Sequence, residues 1–294
     1  MKKISMLLFA GLLCMSIANA QELTSKKGFP ILPEKGDIGL SVDAVPFLSY
    51  LGNMFHGTSS TSAPSWSFPG LGDNIPTYTF QVKKFTSATT ALRARIRIGF
   101  IADTKKNTIT DQLGTATPNE ATVDDKWTST AFNLVLGAGI EQRRGKGRVQ
   151  GYVGAMANIF LGSKSNNYTY GNAFTAVHLS PLSTQTPWTA DATGGYTATA
   201  SSARLLSNSD GFAFGIGANA FIGVEYFIAP KISLGGEFSW GLAMQFKGKS
   251  NIETETWDGV NKTAKTTTIK RGGSAYFGID NSNTGGAINL AFYF

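Results

Sequence analysis

The stretch Leu92-Arg93-Ala94-Arg95-Ile96-Arg97-Ile98-Gly99-Phe100 decides how the chain is read. Leu92, Ala94, Ile96, Ile98 and Phe100 occupy every second position, and Arg93, Arg95 and Arg97 lie between them. An extended strand turns alternate side chains to opposite faces, so this segment carries an apolar face backed by a row of guanidinium groups. A helix would scatter both sets around its circumference.

The same alternation recurs in six further runs. Ile38 to Ala44, Phe132 to Ile140, Val149 to Leu161, Phe212 to Tyr226, Ile232 to Phe246 and Ile288 to Phe294 each carry a predominantly apolar phase at every second position, and that phase contains no charge in any of the seven runs. An eighth, weaker run between Thr77 and Phe85 has Tyr78, Phe80 and Val82 on one face ahead of Lys83 and Lys84. The opposite phase is Gly, Ser, Asn and Gln with sparse charge. A soluble sandwich would turn a face rich in Lys and Glu to water, whereas a crowded polar interior with apolar residues outside is the pattern of a transmembrane β-barrel.

Composition agrees. The 294 residues are 42% hydrophobic and 15% charged, with 34 glycines and 20 phenylalanines, which excludes a disordered chain. Beyond the N-terminus no apolar run is long enough for a membrane-spanning helix. A net charge of +7 spread over this length is too dilute to indicate nucleic acid.

Met1-Lys2-Lys3, the apolar stretch Ile4 to Leu13 and Ala18-Asn19-Ala20 read as a secretory signal over residues 1–20. Cys14, the single cysteine, falls inside it and follows Leu13 rather than the small residue of a lipoprotein signal. The mature chain then has no thiol for a disulfide, a nucleophile or a zinc site. Residues 21–36 are expected to be a short periplasmic extension and residues 37–294 the barrel.

The links between runs alternate in length. Residues 48–76, 103–126, 162–210 and 247–284 form long links rich in Thr, Ser, Asn and Gly, while Thr86 to Thr89, Arg144 to Gly147 and Ala229-Pro230-Lys231 are short. Short periplasmic turns alternating with long outer loops are the order a barrel requires, and eight strands satisfy its even-number expectation. After Pro46, Phe47, Leu48, Leu51, Met54 and Phe55 recur at helical spacing, so a short rim helix and a continuing strand are both open there.

The terminal stretch Ala287-Ile288-Asn289-Leu290-Ala291-Phe292-Tyr293-Phe294 resembles the last strand of Gram-negative outer-membrane proteins. That resemblance implies that Ile288, Leu290, Phe292 and Phe294 form the signal read by the barrel-insertion machinery. With the eight runs, residues 37–294 resemble small outer-membrane barrels such as the OmpA transmembrane domain and OmpX, an all-β, eight-stranded, antiparallel up-and-down transmembrane barrel with long extracellular loops. A counterpart of the peptidoglycan-binding domain of full OmpA is not expected.

Arg93, Arg95 and Arg97 would point into the bore, where unpaired charge is expensive. Asp43, Glu141, Glu225 and Glu237 fall in the same lower half when residues are counted from the short-turn end. Their expected outcome is a charge-paired network that fills the lumen, with a gateable conduit as the alternative. Other motifs carry less. His56 and His178 lie singly in expected loops, so a Ser-His-carboxylate lipid-modifying site is neither built nor excluded. Arg143-Arg144-Gly145-Lys146-Gly147-Arg148 lacks phosphate-loop spacing and reads as a tight turn with its charges near lipid phosphates. Asp124-Asp125 makes no calcium loop. Tyr226, Phe227, Tyr293 and Phe294 at one end, with Trp127 and Phe212 at the other, are candidates for two aromatic girdles. No cofactor or metal is expected. The expected partners are outer-membrane lipids, the insertion machinery and an unidentified extracellular ligand. The favoured role is non-enzymatic binding or envelope integrity, ahead of a small porin-like channel and a lipid-modifying enzyme.

Overall fold

A computed structural model describes residues 23–43, 78–114, 122–145, 147–190, 194–279 and 286–294. The expected signal, the candidate helix after Pro46, the link 48–76 and His56 lie outside these residues.

The described chain is all-β and antiparallel, with thirteen strands and no helix among the described residues. The strands are β1 (Ile38–Asp43), β2 (Tyr78–Phe85), β3 (Thr90–Thr110), β4 (Thr122–Arg144), β5 (Val149–Thr169), β6 (Leu182–Thr184), β7 (Ala198–Ala200) and β8 (Ala203–Ala229), followed by β9 (Ile232–Lys247), β10 (Ser250–Asp258), β11 (Thr263–Arg271), β12 (Ser274–Ile279) and β13 (Gly286–Tyr293). Eight of them close a ring. β1 pairs with β2, β2 with β3, β3 with β4, β4 with β5, β5 with β8, β8 with β9, β9 with β13, and β13 returns to β1.

The expected loops 103–126 and 247–284 are largely strand instead, and the expected loop 162–210 is strand only at its two ends, in β5 and β8, and in the short β6 and β7. β3 and β4 stay paired from Thr90–Gln142 up to Thr110–Thr122. The apolar alternation stops near Phe100 because both faces become polar above it, yet Thr, Ser and Asn continue the ladder, with Thr104 bonded to Thr128 at 3.2 Å and Thr130 to Ser165 at 2.8 Å. Farther on, Ser250 faces Arg271 and Lys247 faces Ser274, one unbroken register in which β9 and β10 run against β11 and β12. β10 continues the register of β9 along β8 as far as Glu253, where a bulge shifts it by one residue. Gly248-Lys249 and Gly272-Gly273 therefore interrupt two long strands, and β6 with β7 forms a separate two-stranded hairpin.

Side-chain burial is inverted relative to a soluble protein. Leu92 is 52% exposed, Phe100 64% and Ile222 60%, while Lys83, Arg93 and Glu141 on the inner face are 3% exposed or less. Phe227 and Tyr293, expected in a girdle, are also buried. Each is the inward neighbour of an outward aromatic, Tyr226 and Phe294, so alternation admits only one of each pair to the outside. Trp127, expected in the opposite girdle, is half-buried and packs on Tyr168.

Residues 23–36 fold across the short-turn end. Ile31 packs into a cluster of Phe85, Ala91, Phe227, Ala291 and Tyr293, and the Lys231 N–H donates to the Ile31 carbonyl at 3.0 Å. Lys231 turns left-handed at φ 57°, and its Nζ meets Asp37 at 2.5 Å. Truncating Ile31 removes buried packing of about 2 kcal/mol or more. We expect Ile31→Ala to accelerate hydrogen exchange at the Ile31 and Lys231 amides at least about thirtyfold while exchange in β8 and β9 stays unchanged.

Candidate functional site: the charged interior

Six ring strands deliver ionic or hydroxyl groups to one level of the bore. β2 supplies Gln81 and Lys83, β3 Arg93 and Arg95, β4 Glu141 and Arg143, β8 Glu225, β9 Ser233 and Glu237, and β13 Tyr293. Each stands in the phase opposite its strand's exposed apolar residues.

Glu225 is the most heavily bonded. Its Oε1 receives the Lys83 ammonium at 2.7 Å, and its Oε2 receives Arg143 Nη2 at 2.6 Å, the Tyr293 hydroxyl at 2.7 Å and the Ser233 hydroxyl at 3.3 Å. Glu141, fully buried, lies 2.7 Å from Arg143 Nε, 3.1 Å from Lys83 Nζ and 3.4 Å from Arg93 Nη1. Arg93 bonds Gln81 and reaches Glu237 at 2.7 Å, which also receives Arg95 at 3.3 Å. Aromatic faces cover the cations, with Arg93 4.0 Å from the Phe221 ring centre and Arg143 4.8 Å from that of Phe85.

Of the residues expected in a network, Arg93, Arg95, Glu141, Glu225 and Glu237 come together. Arg97 is half-buried two residues farther along the inner face of β3. Asp43 pairs with Asn289 at the end of β1, but its side chain lies outside the described residues. Lys83 and Arg143 were not among the candidates. Lys83 follows Gln81 in the inward phase of β2, and Arg143 follows Glu141 in that of β4, so alternation carried two residues farther points to both. Arg143 is correspondingly buried inside the ring rather than placed near lipid phosphates with its turn.

Bulky side chains block the bore beyond the ions. Tyr152, Met156, Phe160 and Phe221 are each 3% exposed or less, and glycines on neighbouring strands make room for them. A methyl at Gly139 would run into the Ala155 carbonyl and the Met156 Cα. Ile288, Phe292 and Phe294 of the terminal strand face outward.

At the far end residues 170–190 and 194–202 are bolted to the ring. Fully buried Asp125 accepts the Gly171 N–H at 2.8 Å and the Thr184 N–H at 2.6 Å. Asn107 donates to Thr184 Oγ1 and to the Tyr196 carbonyl, and Asn172 joins Gln112, Thr110 and Leu182. Arg204 is clasped between the Tyr170 and Phe174 rings and paired with Glu255 at 2.8 Å. Burial pushes the Tyr170 hydroxyl up to about 12. In the β10–β11 turn, hydrogen bonds from the Asn261 side chain and from the Asn261 and Val260 N–H groups hold Asp258 below the usual carboxylate range. A polar cleft of about 440 Å³ opens between the β6–β7 hairpin and the start of β8. His178 sits in the same segment, its N–H donating to Thr175 Oγ1.

No family model matches the chain, and no curated protein matches it. Among solved structures the chain is similar to a major outer membrane protein from Thermus thermophilus, at 10% identity, over 88% of this chain and 98% of that one. The TM-score is 0.27, too low for that likeness to bear on fold or function.

Removing one member of a buried ion network strands its partners at a cost of about 3–5 kcal/mol. Glu225→Ala is expected to lose that much in urea unfolding of the detergent-refolded protein, whereas Arg95→Ala, whose single 3.3 Å contact lies at the edge of the network, loses clearly less. Equal losses would show that the network does not act as a centre with a periphery.

Proposed function

We propose that this chain is an eight-stranded outer-membrane β-barrel, non-enzymatic, with a filled and charge-paired lumen, serving surface binding or envelope integrity through its far end. One observation carries the reading: a closed ring with large apolar side chains exposed all round and ion pairs buried within. Closure leaves no strand edge to face lipid. The apolar alternation on β3 spans Leu92 to Phe100, close to the 9–11 residues of a tilted strand that crosses a bilayer.

The address comes from the expected signal over residues 1–20 and from the terminal strand ending in Phe294, both features of outer-membrane proteins of the OmpA and OmpX kind. In this orientation the short turns and residues 23–36 face the periplasm, and the strand extensions with residues 170–190 and 194–202 face outward. Partners are outer-membrane lipids, the insertion machinery and an extracellular ligand held at the outer end.

A narrow conduit is the second reading. Several buried polar atoms along the bore, among them Asn158 Oδ1, Asn219 Nδ2 and Arg95 Nε, lack protein partners, and such atoms call for water. Refolded into detergent, the mature chain is expected to migrate differently on gels before and after heating, to give a β spectrum, and to be silent in planar bilayers. Steady unitary conductance would favour the conduit. A monodisperse protein that folds in plain buffer would overturn the membrane reading.

A further inference from the structure

Charge is distributed unevenly between the two ends of the ring. At the short-turn end Lys26, Lys27, Lys35, Lys84, Arg144 and Arg148 are exposed or half-buried, and none forms an ion pair among the described residues. The described acids there, Glu34 and Asp37, are both held by Lys231. At the opposite end cations and anions are mixed and partly paired, as in Lys247 with Asp210 at 3.1 Å and Arg204 with Glu255.

Three of these cations stand at the lower margin of the apolar face. Lys84 faces outward from β2, directly opposite Ile38 on one side and Leu92 on the other, and both of those are exposed. Its neighbour Lys83 is consumed inside the bore, so the Lys83-Lys84 pair splits one cation inward and one outward. Arg144 ends β4 in the outward phase next to buried Arg143. Arg148 is pinned across the end of β8, its Nη1 donating at 3.1 Å to the carbonyls of Phe227 and Ile228, beside exposed Tyr226 and Ile228. Unpaired cations fixed beside an apolar surface, with aromatics alongside, provide the chemistry that holds an anionic headgroup where acyl chains meet water.

We propose that Lys84, Arg144 and Arg148 form a lipid-binding belt that selects acidic phospholipids by their phosphates in the leaflet at the short-turn end, with Lys26 and Lys27 of the strap formed by residues 23–36 strengthening the field. The proposal rests on the membrane reading above. It narrows the lipid partner of that reading to an anionic headgroup: the belt recognises charge, while the apolar face above it accepts any acyl chain. Its attraction is screened by salt.

The test reconstitutes the refolded full-length mature chain in phosphatidylcholine vesicles and compares spin-labelled phosphatidylglycerol with spin-labelled phosphatidylcholine. The fraction of each lipid whose motion the protein restricts is the readout. Phosphatidylglycerol should be favoured, each cation contributing up to about fivefold, and the preference should shrink in high salt. Lys84→Gln combined with Arg144→Gln should bring it most of the way to unity. Lys265→Gln combined with Lys270→Gln, at the other end, should leave it unchanged. No preference in the parent protein, or a preference undiminished by loss of Lys84 and Arg144, overturns the belt. Absence of any restricted lipid, for either headgroup, overturns the membrane reading itself and is thereby distinguished from failure of the belt.

Discussion

The carboxylate of Glu225 is the point on which the interior depends. It accepts from Lys83 of β2, Arg143 of β4, Ser233 of β9 and Tyr293 of β13, so one side chain ties its own strand to four others. Charge-assisted bonds of this kind are the strong ones, and in a low-dielectric bore their alternative is an uncompensated ion. The ring needs such a tie. Its outward side chains are apolar and exposed, so they do not pack into a core of their own, and specificity of closure has to come from inside.

Closure and charge pairing support each other. A closed antiparallel ring pairs backbone groups around its whole circumference, which frees the outer face to carry Leu92, Phe238, Trp240 and their neighbours. The same closure leaves room inside for side chains and little else. Met156, Phe160 and Phe221 occupy that room only because neighbouring strands place glycines beside them. Below the ions the strap brings Ile31 against Phe85, Phe227 and Tyr293. The short-turn end is thus sealed by an apolar layer under an ionic one.

The spacing of apolar residues made the lower half legible. Alternation placed the ring strands, their inward and outward faces, and Arg93, Arg95, Glu141, Glu225 and Glu237 on a common interior. It missed Lys83 and Arg143 because each sits in a basic run at a strand end, where adjacent charges resemble a solvated turn. It missed the upper halves of β3, β4, β5 and β8 for a different reason. Once both faces are polar no period remains to detect, and Thr, Ser and Asn serve loops as readily as a hydroxyl-bonded ladder. Nor could local sequence announce that Asp125, far along the chain from Gly171 and Thr184, would accept both of their N–H groups.

A filled bore directs attention to the ends. If side chains occupy the interior, recognition has to use surfaces that the ring holds in place. The far-end extension of the ring is tied down rather than loosely connected. Asp125, Asn107 and Asn172 bond backbone and side-chain groups of Gly171, Leu182, Thr184 and Tyr196, and the β10–β11 hairpin carries the sheet on beyond β9, β10 taking the place of β9 along β8. Much of the conformational entropy of ordering these residues is therefore lost on folding rather than on binding. A surface ordered in advance loses less freedom on meeting a partner than a floppy loop of the same composition, and the long polar strand extensions above the apolar band are ordered in that way.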